Sequence, residues 1–244
     1  MKQKRLKIES NRSLNETVYE MKLSGIRGAA IRPGQFVNLK LDGLFLRRPI
    51  SVCNAEGDLL TLVYRTVGKG TDQMSRMKAG ETIDTLLELG NGYDLSAAGE
   101  QPLLIGGGVG VPPLYALAKN LIRSGKEVTV ILGFNTASDV FYETEFQNLG
   151  AKVSVTTVDG SYGTKGFVTD AMPETYSFFY ACGPIPMLKA VYHRTNGLGQ
   201  FSLEERMGCG FGACMGCSIS TRNGTKRVCK EGPVFFKEDL AWDD

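Results

Sequence analysis

Pro102-Leu-Leu-Ile-Gly-Gly-Gly-Val-Gly-Val-Pro-Pro113 joins a short apolar run, Leu103-Leu-Ile, to a glycine turn. Beyond the turn, Pro112 to Arg123 reads as a helix and Glu127-Val-Thr-Val-Ile-Leu-Gly-Phe134 as a second strand, which makes the segment a βαβ unit. Strand candidates at 151–158 and 176–181, with a helix at 186–195 after the last, extend it, and a parallel sheet is the economical architecture. Glycine in such a turn lets the backbone approach a pyrophosphate, while the N-terminus of the next helix offers unpaired N–H groups and a favourable dipole. The spacing departs from G-x-G-x-x-G, and a plain tight strand-to-helix turn has the same composition.

On the N-terminal side the pattern is β-rich and punctuated by glycine. Thr17-Val-Tyr-Glu-Met-Lys-Leu and Gly34-Gln-Phe-Val-Asn-Leu-Lys-Leu alternate at period two, and Leu59-Leu-Thr-Leu-Val-Tyr-Arg is a compact buried-strand candidate. Short, closely spaced strands predict a small barrel, followed by a linker at Ser96-Ala-Ala-Gly-Glu-Gln. Within the barrel, Arg47-Arg-Pro-Ile-Ser51 sets an arginine and a hydroxyl three residues apart on an extended chain, able to reach the phosphate and the ring or ribose of a flavin. The alternative is a solvated turn at a strand edge. On the C-terminal side, Cys182-Gly-Pro184 follows the apolar strand Phe178-Phe-Tyr-Ala, where a small side chain and a glycine leave room for a planar ring. The alternative there is a buried cysteine acting as a small hydrophobe.

Cys209, Cys214, Cys217 and Cys229 form a C-x4-C-x2-C run closed by one later cysteine, the ligand spacing of a plant-type [2Fe–2S] cluster. Gly208, Gly210, Gly212 and Gly216 interleave with the first three and supply the backbone freedom that a loop wrapped around an inorganic core requires. Zinc held by four thiolates is the rival reading, although structural zinc sites usually draw on two short C-x2-C pairs.

With 244 residues the chain is long enough for two domains and an appendage. A net charge of +2 leaves no surplus to favour nucleic acid or an anionic membrane surface. The basic start, Met1 to Glu9, lacks an apolar stretch after it, and the most apolar run, Pro102 to Ala118, is broken by glycine and proline. Six cysteines without a secretory signal suit a reducing compartment, so a cytoplasmic, non-membrane protein is expected.

In this order, Arg-Pro-Ile-Ser, then Gly-Gly-Gly-Val-Gly-Val-Pro-Pro, then Ala-Cys-Gly-Pro resembles the ferredoxin–NADP reductase superfamily. The segment Glu205 to Cys217, with Val228-Cys-Lys-Glu-Gly-Pro-Val-Phe235, narrows the resemblance to the electron transfer subunits of class B dihydroorotate dehydrogenase. It implies a flavin-binding β-barrel at 1–98, a parallel-sheet α/β nucleotide-binding domain at 99–199 and a small [2Fe–2S] domain at 200–244. It assigns Arg48, Pro49, Ile50 and Ser51, then Tyr64, Arg65 and Thr66, then Gly70 and Thr71, to FAD, with Gly90, Asn91 and Gly92 in a loop near the flavin. Gly107, Gly108, Gly110 and Pro112, with Cys182, Gly183 and Pro184, fall on the nicotinamide side, and Cys209, Cys214, Cys217 and Cys229 become the cluster ligands. The loop Asn135-Thr-Ala-Ser lacks an arginine for a 2′-phosphate, which favours NAD over NADP; Asp139 and Glu143 are candidates for the adenosine ribose, though each reads more readily as a surface charge.

The resemblance further implies electrons leaving dihydroorotate at the FMN of a separate catalytic subunit, in a heterotetramer of two chains of each kind, and passing through [2Fe–2S] and FAD to NAD. No acid or base is needed in this chain, and the lone histidine, His193, reads as an exposed helix residue, Cys53 as core. Phe211, Met215, Phe235 and Phe236 are candidate partner contacts, with packing in their own domain as the alternative. Rival functions are an NAD(P)H–ferredoxin or sulfide-dehydrogenase-like oxidoreductase subunit and a non-catalytic zinc-stabilised regulatory module.

Overall fold

The computed structural model describes residues 1–242, which divide into two compact units. The first comprises 1–92, 204–219 and 226–233; the second comprises 93–203, 220–225 and 234–242. Within the stretch expected to hold the cluster, at 200–244, segments 204–219 and 226–233 fall in the first unit and 220–225 and 234–242 in the second. The cysteine-bearing segments pack within the barrel unit, since a glycine-rich loop of this length has no apolar core of its own to bury.

Six strands close the barrel: β1 (Lys2–Ser13), β2 (Val18–Ser24), β3 (Phe36–Lys40), β4 (Arg48–Glu56), β5 (Leu59–Arg65) and β6 (Thr82–Leu89), in the order β1-β2-β5-β4-β3-β6. Alternation sends Leu6, Ile8, Met21, Leu23, Val37, Leu39, Leu60 and Leu62 inward, where all are fully buried. Between β5 and β6 lies the helix α1 (Lys69–Arg76), whose Met74 plugs the barrel core.

In the second unit the chain runs β7 (Leu103–Gly107), α2 (Tyr115–Arg123), β8 (Thr129–Phe134), α3 (Glu143–Leu149), β9 (Lys152–Thr157), β10 (Thr164–Lys165), β11 (Phe179–Cys182), α4 (Ile185–Arg194) and β12 (Gly199–Ser202). A small hairpin, β13 (Ser218–Thr221) and β14 (Gly224–Arg227), precedes β15 (Val234–Phe236), which pairs antiparallel with β12. The sheet order is β10-β9-β8-β7-β11-β12-β15. Strands β7, β11 and β12 are buried along their whole length, as parallel strands covered on both faces must be. The order reverses between β7 and β11, and the carboxyl ends of two strands that part in this way form the usual ligand crevice of an open α/β sheet. The expected helix from Pro112 starts instead with 3-10 turns at Gly108–Gly110 and Pro112–Leu114, and the α-helix proper begins at Tyr115. No helix of the described residues is long and apolar enough to cross a membrane.

Candidate functional site

In the barrel, Arg48 at the start of β4 crosses the first turn of α1. A Cβ on Gly70 would stand 2.1 Å from the Arg48 Nε, so only glycine admits the guanidinium there, over a helix N-terminus. Arg48 Nη1 also donates to the carbonyl of Leu46 at 2.5 Å. Thr71 shapes the same turn: its Oγ1 accepts from the N–H groups of Val67 at 2.9 Å and Gly68 at 3.3 Å. At the end of β5 the Arg65 Nε is buried without a hydrogen-bond acceptor, an orphan donor that suits an anionic or acceptor-rich ligand. A guanidinium over a glycine, a helix start and an orphan arginine donor together fit a flavin nucleotide. Not every expected FAD residue is free to take part. Tyr64 is 2% exposed within the barrel core, donates to Asn11 Oδ1 at 3.0 Å and stacks on Tyr19, and burial raises its pKa. Thr66 Oγ1 donates to the Thr17 carbonyl at 3.1 Å. Pro49 and Ser51 lie opposite Asn38 and Phe36 on β3, and Ile50 lies partly buried against the core.

The loop Gly90-Asn91-Gly92 is bound to the segment after Cys229. The Asn91 N–H donates to the Gly232 carbonyl at 2.7 Å and its Nδ2 to the Glu231 carbonyl at 3.1 Å. A side chain on Gly90, which has φ +69°, would meet Pro233 Cδ at 2.6 Å.

The four cysteines fall into two pairs. The Cys229 N–H donates to Cys217 Sγ at 3.4 Å, and the side chains of Cys214 and Cys217 act on the thiols of Cys209 and Cys229 respectively. Burial pushes the Cys209 thiol up, but the amides of Phe211, Cys214 and Ala213 and the Cys214 side chain outweigh it and hold the thiol at about 6. The Ala213 N–H reaches Cys209 Sγ at 3.2 Å. Burial first, then Cys217 and the charge on Cys209, push Cys229 up to about 12. Backbone N–H groups aimed at sulfur, and thiols set two and two, suit a pair of irons each taking two thiolates.

Arg227 braces this loop: Nη1 donates to the Gly212 carbonyl at 2.5 Å, while Nε donates to Glu231 Oε2 at 2.9 Å. That pairing holds the Glu231 carboxyl down at about 2. Phe211 and Met215 are exposed, Phe235 is buried and so not available as a partner contact, and Phe236 is half-buried, edge-on against Phe178.

In the second unit, the glycine turn and Cys182-Gly-Pro184 meet at the carboxyl ends of adjacent strands, where Cys182 pairs in register with Gly106. A Cβ on Gly110 would stand 2.2 Å from the Cys182 carbonyl oxygen; on Gly107 it would stand 2.4 Å from Met187 Sδ, and on Gly183 2.6 Å from Met187 Cε. Gly108 takes φ +51°, Pro112 is buried in the turn that follows, and Pro184 caps α4. Tyr93 lies against Cys182; burial first, then the Cys182 charge, holds its phenol well above the ordinary range. This glycine-lined crevice fits the close approach of a nucleotide backbone and a planar ring. In the loop after β8, the Ala137 N–H donates to Ser161 Oγ at 2.8 Å, and Glu143 accepts from the Tyr162 hydroxyl at 2.8 Å. His193 is exposed on α4 and Cys53 is fully buried.

Sequence reasoning missed Asn38, Arg227, Glu231, Met187 and Tyr93. Glu231 lies in the Val228–Phe235 stretch and pairs with Arg227 four residues away, whereas Asn38, Arg227, Met187 and Tyr93 carry no motif, and Asn38 and Tyr93 meet neighbours far away in the chain.

Residues 204–241 match the family model for the iron–sulfur cluster binding domain of dihydroorotate dehydrogenase B, and residues 104–193 match that of the oxidoreductase NAD-binding domain. The chain is 46% identical over 250 residues to the dihydroorotate dehydrogenase B (NAD(+)) electron transfer subunit of Geobacillus sp. (strain WCH70), covering 96% of this chain and 97% of that one. It is 44% identical to the subunit of the same name from Fusobacterium nucleatum, covering 96% of each. Among solved structures, an NADH-dependent reduced ferredoxin-NADP oxidoreductase superposes with a TM-score of 0.88 at 32% identity, covering 98% of this chain and 90% of that one. The ferredoxin reductase of carbazole 1,9a-dioxygenase shares the fold, with a TM-score of 0.70 at 23% identity over 79% of this chain and 64% of that one.

Proposed function

The chain belongs to the family of electron transfer subunits of NAD(+)-dependent dihydroorotate dehydrogenase B, and from that membership we propose that it carries electrons from a dihydroorotate-oxidising catalytic subunit to NAD, in pyrimidine biosynthesis. It is an oxidoreductase subunit with FAD, a [2Fe–2S] cluster and NAD as its redox groups. The observation that carries the reading is that backbone N–H groups of the cysteine loop are aimed at sulfur, Ala213 at Cys209 Sγ and Cys229 at Cys217 Sγ.

Residues 1–98 hold FAD, 99–199 NAD and 200–244 the cluster. Arg48 and Arg65 bind and orient the flavin nucleotide, with Gly70 giving Arg48 room and Thr71 shaping the turn; Pro49, Ile50, Ser51, Tyr64, Thr66 and the 90–92 loop build the wall around it. Gly107, Gly108, Gly110, Pro112, Cys182, Gly183 and Pro184 form the nicotinamide crevice. Cys209, Cys214, Cys217 and Cys229 hold the iron. Bound flavin supplies the exchange between hydride transfer and single-electron transfer that nicotinamide and iron–sulfur chemistry require of each other. The protein's part is to place its redox groups and shield them from water, so no acid or base of the chain takes part.

The catalytic partner carries FMN and assembles with this chain two by two. Six free cysteines, four of them required as thiolates, support placement in the cytoplasm. The test is anaerobic reduction of the purified protein by NADH, with iron, acid-labile sulfide and FAD quantified, followed by co-purification with a dihydroorotate-oxidising subunit. About two irons and two sulfides per FAD, both chromophores bleaching, and NAD reduction by dihydroorotate in the complex alone support it. A colourless zinc protein refutes it, and reduction of ferredoxin without a dihydroorotate-oxidising partner supports the oxidoreductase rival.

A further inference from the structure

Asn38 on β3 is 1% exposed, yet its side chain is outside the barrel core. Val37 and Leu39 on either side belong to that core, so alternation turns Asn38 to the outer wall, where a polar residue ordinarily meets water. The cysteine loop covers it instead. Asn38 Nδ2 donates to the carbonyl of Cys209 at 3.1 Å, and a Cβ on Gly210 would stand 2.3 Å from the same nitrogen. Gly210, at φ +78°, is therefore required twice, for its backbone conformation and for the approach of the amide. Across the ladder Asn38 pairs with Pro49, inside the Arg48–Ser51 stretch, and Arg47 Nη1 donates to the Asn38 carbonyl at 3.2 Å. The Asn38 Oδ1 has no hydrogen-bond partner, so the donor is the half of the amide in use.

We propose that Asn38 is a positioning residue for the iron–sulfur centre: it pins the loop of Cys209 and Cys214 to the strand pair that bears the flavin-contacting stretch. This rests on the reading of the four cysteines as cluster ligands given above. One partly buried hydrogen bond between residues 171 apart in sequence ties the ligand loop to the barrel wall. Its loss leaves the Cys209 carbonyl without its donor and the loop free to shift.

The test compares the holoprotein with Asn38→Asp, which keeps the shape and loses the donor, and Asn38→Leu, which keeps the approximate volume and loses both polar groups. Measured are FAD, iron and sulfide content, anaerobic iron release to a chelator, and the electron paramagnetic resonance spectrum of the reduced cluster. FAD content and flavin absorption should be unchanged, iron release about fivefold to a hundredfold faster, as for one buried hydrogen bond left unmade, and the resonance shifted or split. Unchanged iron release and resonance overturn the proposal. So does parallel loss of FAD and of the melting transition, because Asn38 would then serve only the barrel. If Asn38→Leu does not fold, the isosteric Asn38→Asp decides by the same readouts. Wild-type protein without iron overturns the cluster reading and this inference together, whereas iron in the wild type with indifferent variants overturns this inference alone.

Discussion

A methyl group on Gly110 would stand 2.2 Å from the carbonyl oxygen of Cys182, closer than any non-bonded carbon approaches an oxygen. The two residues lie 72 positions apart, yet the register of β7 with β11 brings the glycine turn onto the Cys-Gly-Pro turn. Gly110 is not among the glycines of positive φ, so the close approach, and not backbone strain, is what requires glycine there.

Gly110→Ala is therefore expected to force the two turns apart at the nicotinamide crevice. FAD and iron content should stay at wild-type levels while flavin bleaching by NADH slows by about a hundredfold, as a displacement near an ångström does to a hydride transfer. Stopped-flow absorbance under anaerobic conditions reads this directly, and an unchanged rate would remove the turn from the nicotinamide site.

Cys214→Ser should abolish or strongly perturb the cluster, because it strips one member of the Cys209–Cys214 pair, and leave FAD bound by Arg48 and Arg65. The measurement is iron and sulfide content beside the visible spectrum. A normal cluster spectrum in the variant would show the ligand assignment to be mistaken.

Arg48→Ala should weaken FAD binding about tenfold to a hundredfold, the usual cost of losing a charge-assisted contact. Gly70→Ala should act alike, since its Cβ would stand 2.1 Å from Arg48 Nε. Arg48→Lys should restore little, because an ammonium cannot reproduce the guanidinium's planar reach. Fluorescence titration of the apoprotein with FAD checks all three, and equal affinity would remove Arg48 from the site.

Glu88 accepts from Lys2 Nζ at 2.8 Å and from the Ala30 N–H at 2.8 Å, and the Lys2 contact holds its carboxyl below its ordinary value. A depressed folded-state pKa contributes stability that is fully present above the unfolded value of 4.5 and is lost as pH falls through the folded one. Glu88→Gln should accordingly melt below wild type at about pH 7, and the gap should shrink as pH falls below the unfolded value of 4.5 and close below the folded one. A gap independent of pH would mean that shape, not charge, is what Glu88 contributes.

Much of the fold was legible from local pattern. Period-two alternation in Thr17–Leu23 and Gly34–Leu41 marks strands because one barrel face is buried, and Leu103-Leu-Ile before a glycine turn marks a parallel strand because both its faces are. Pro112 was misplaced as the start of a full helix, since proline and glycine together tighten the first turns to 3-10 geometry. The packing of the cysteine-bearing segments 204–219 and 226–233 with the barrel was not legible in linear order.

By itself, the sequence determined the chemistry: four cysteines at cluster spacing, arginines for phosphate and glycines for close approach are properties of residue type and local spacing. Tertiary structure alone decided which sulfurs pair, that Gly110 meets Cys182, and that Tyr64 belongs to the core. It also decided that Asn38, outward in its strand and ordinary in pattern, lies buried under the Cys209 carbonyl. The reason is physical: strand alternation tells which face a side chain takes, but what covers that face comes from chain far away in sequence, placed only when sheet register and the burial of a coreless loop are settled together.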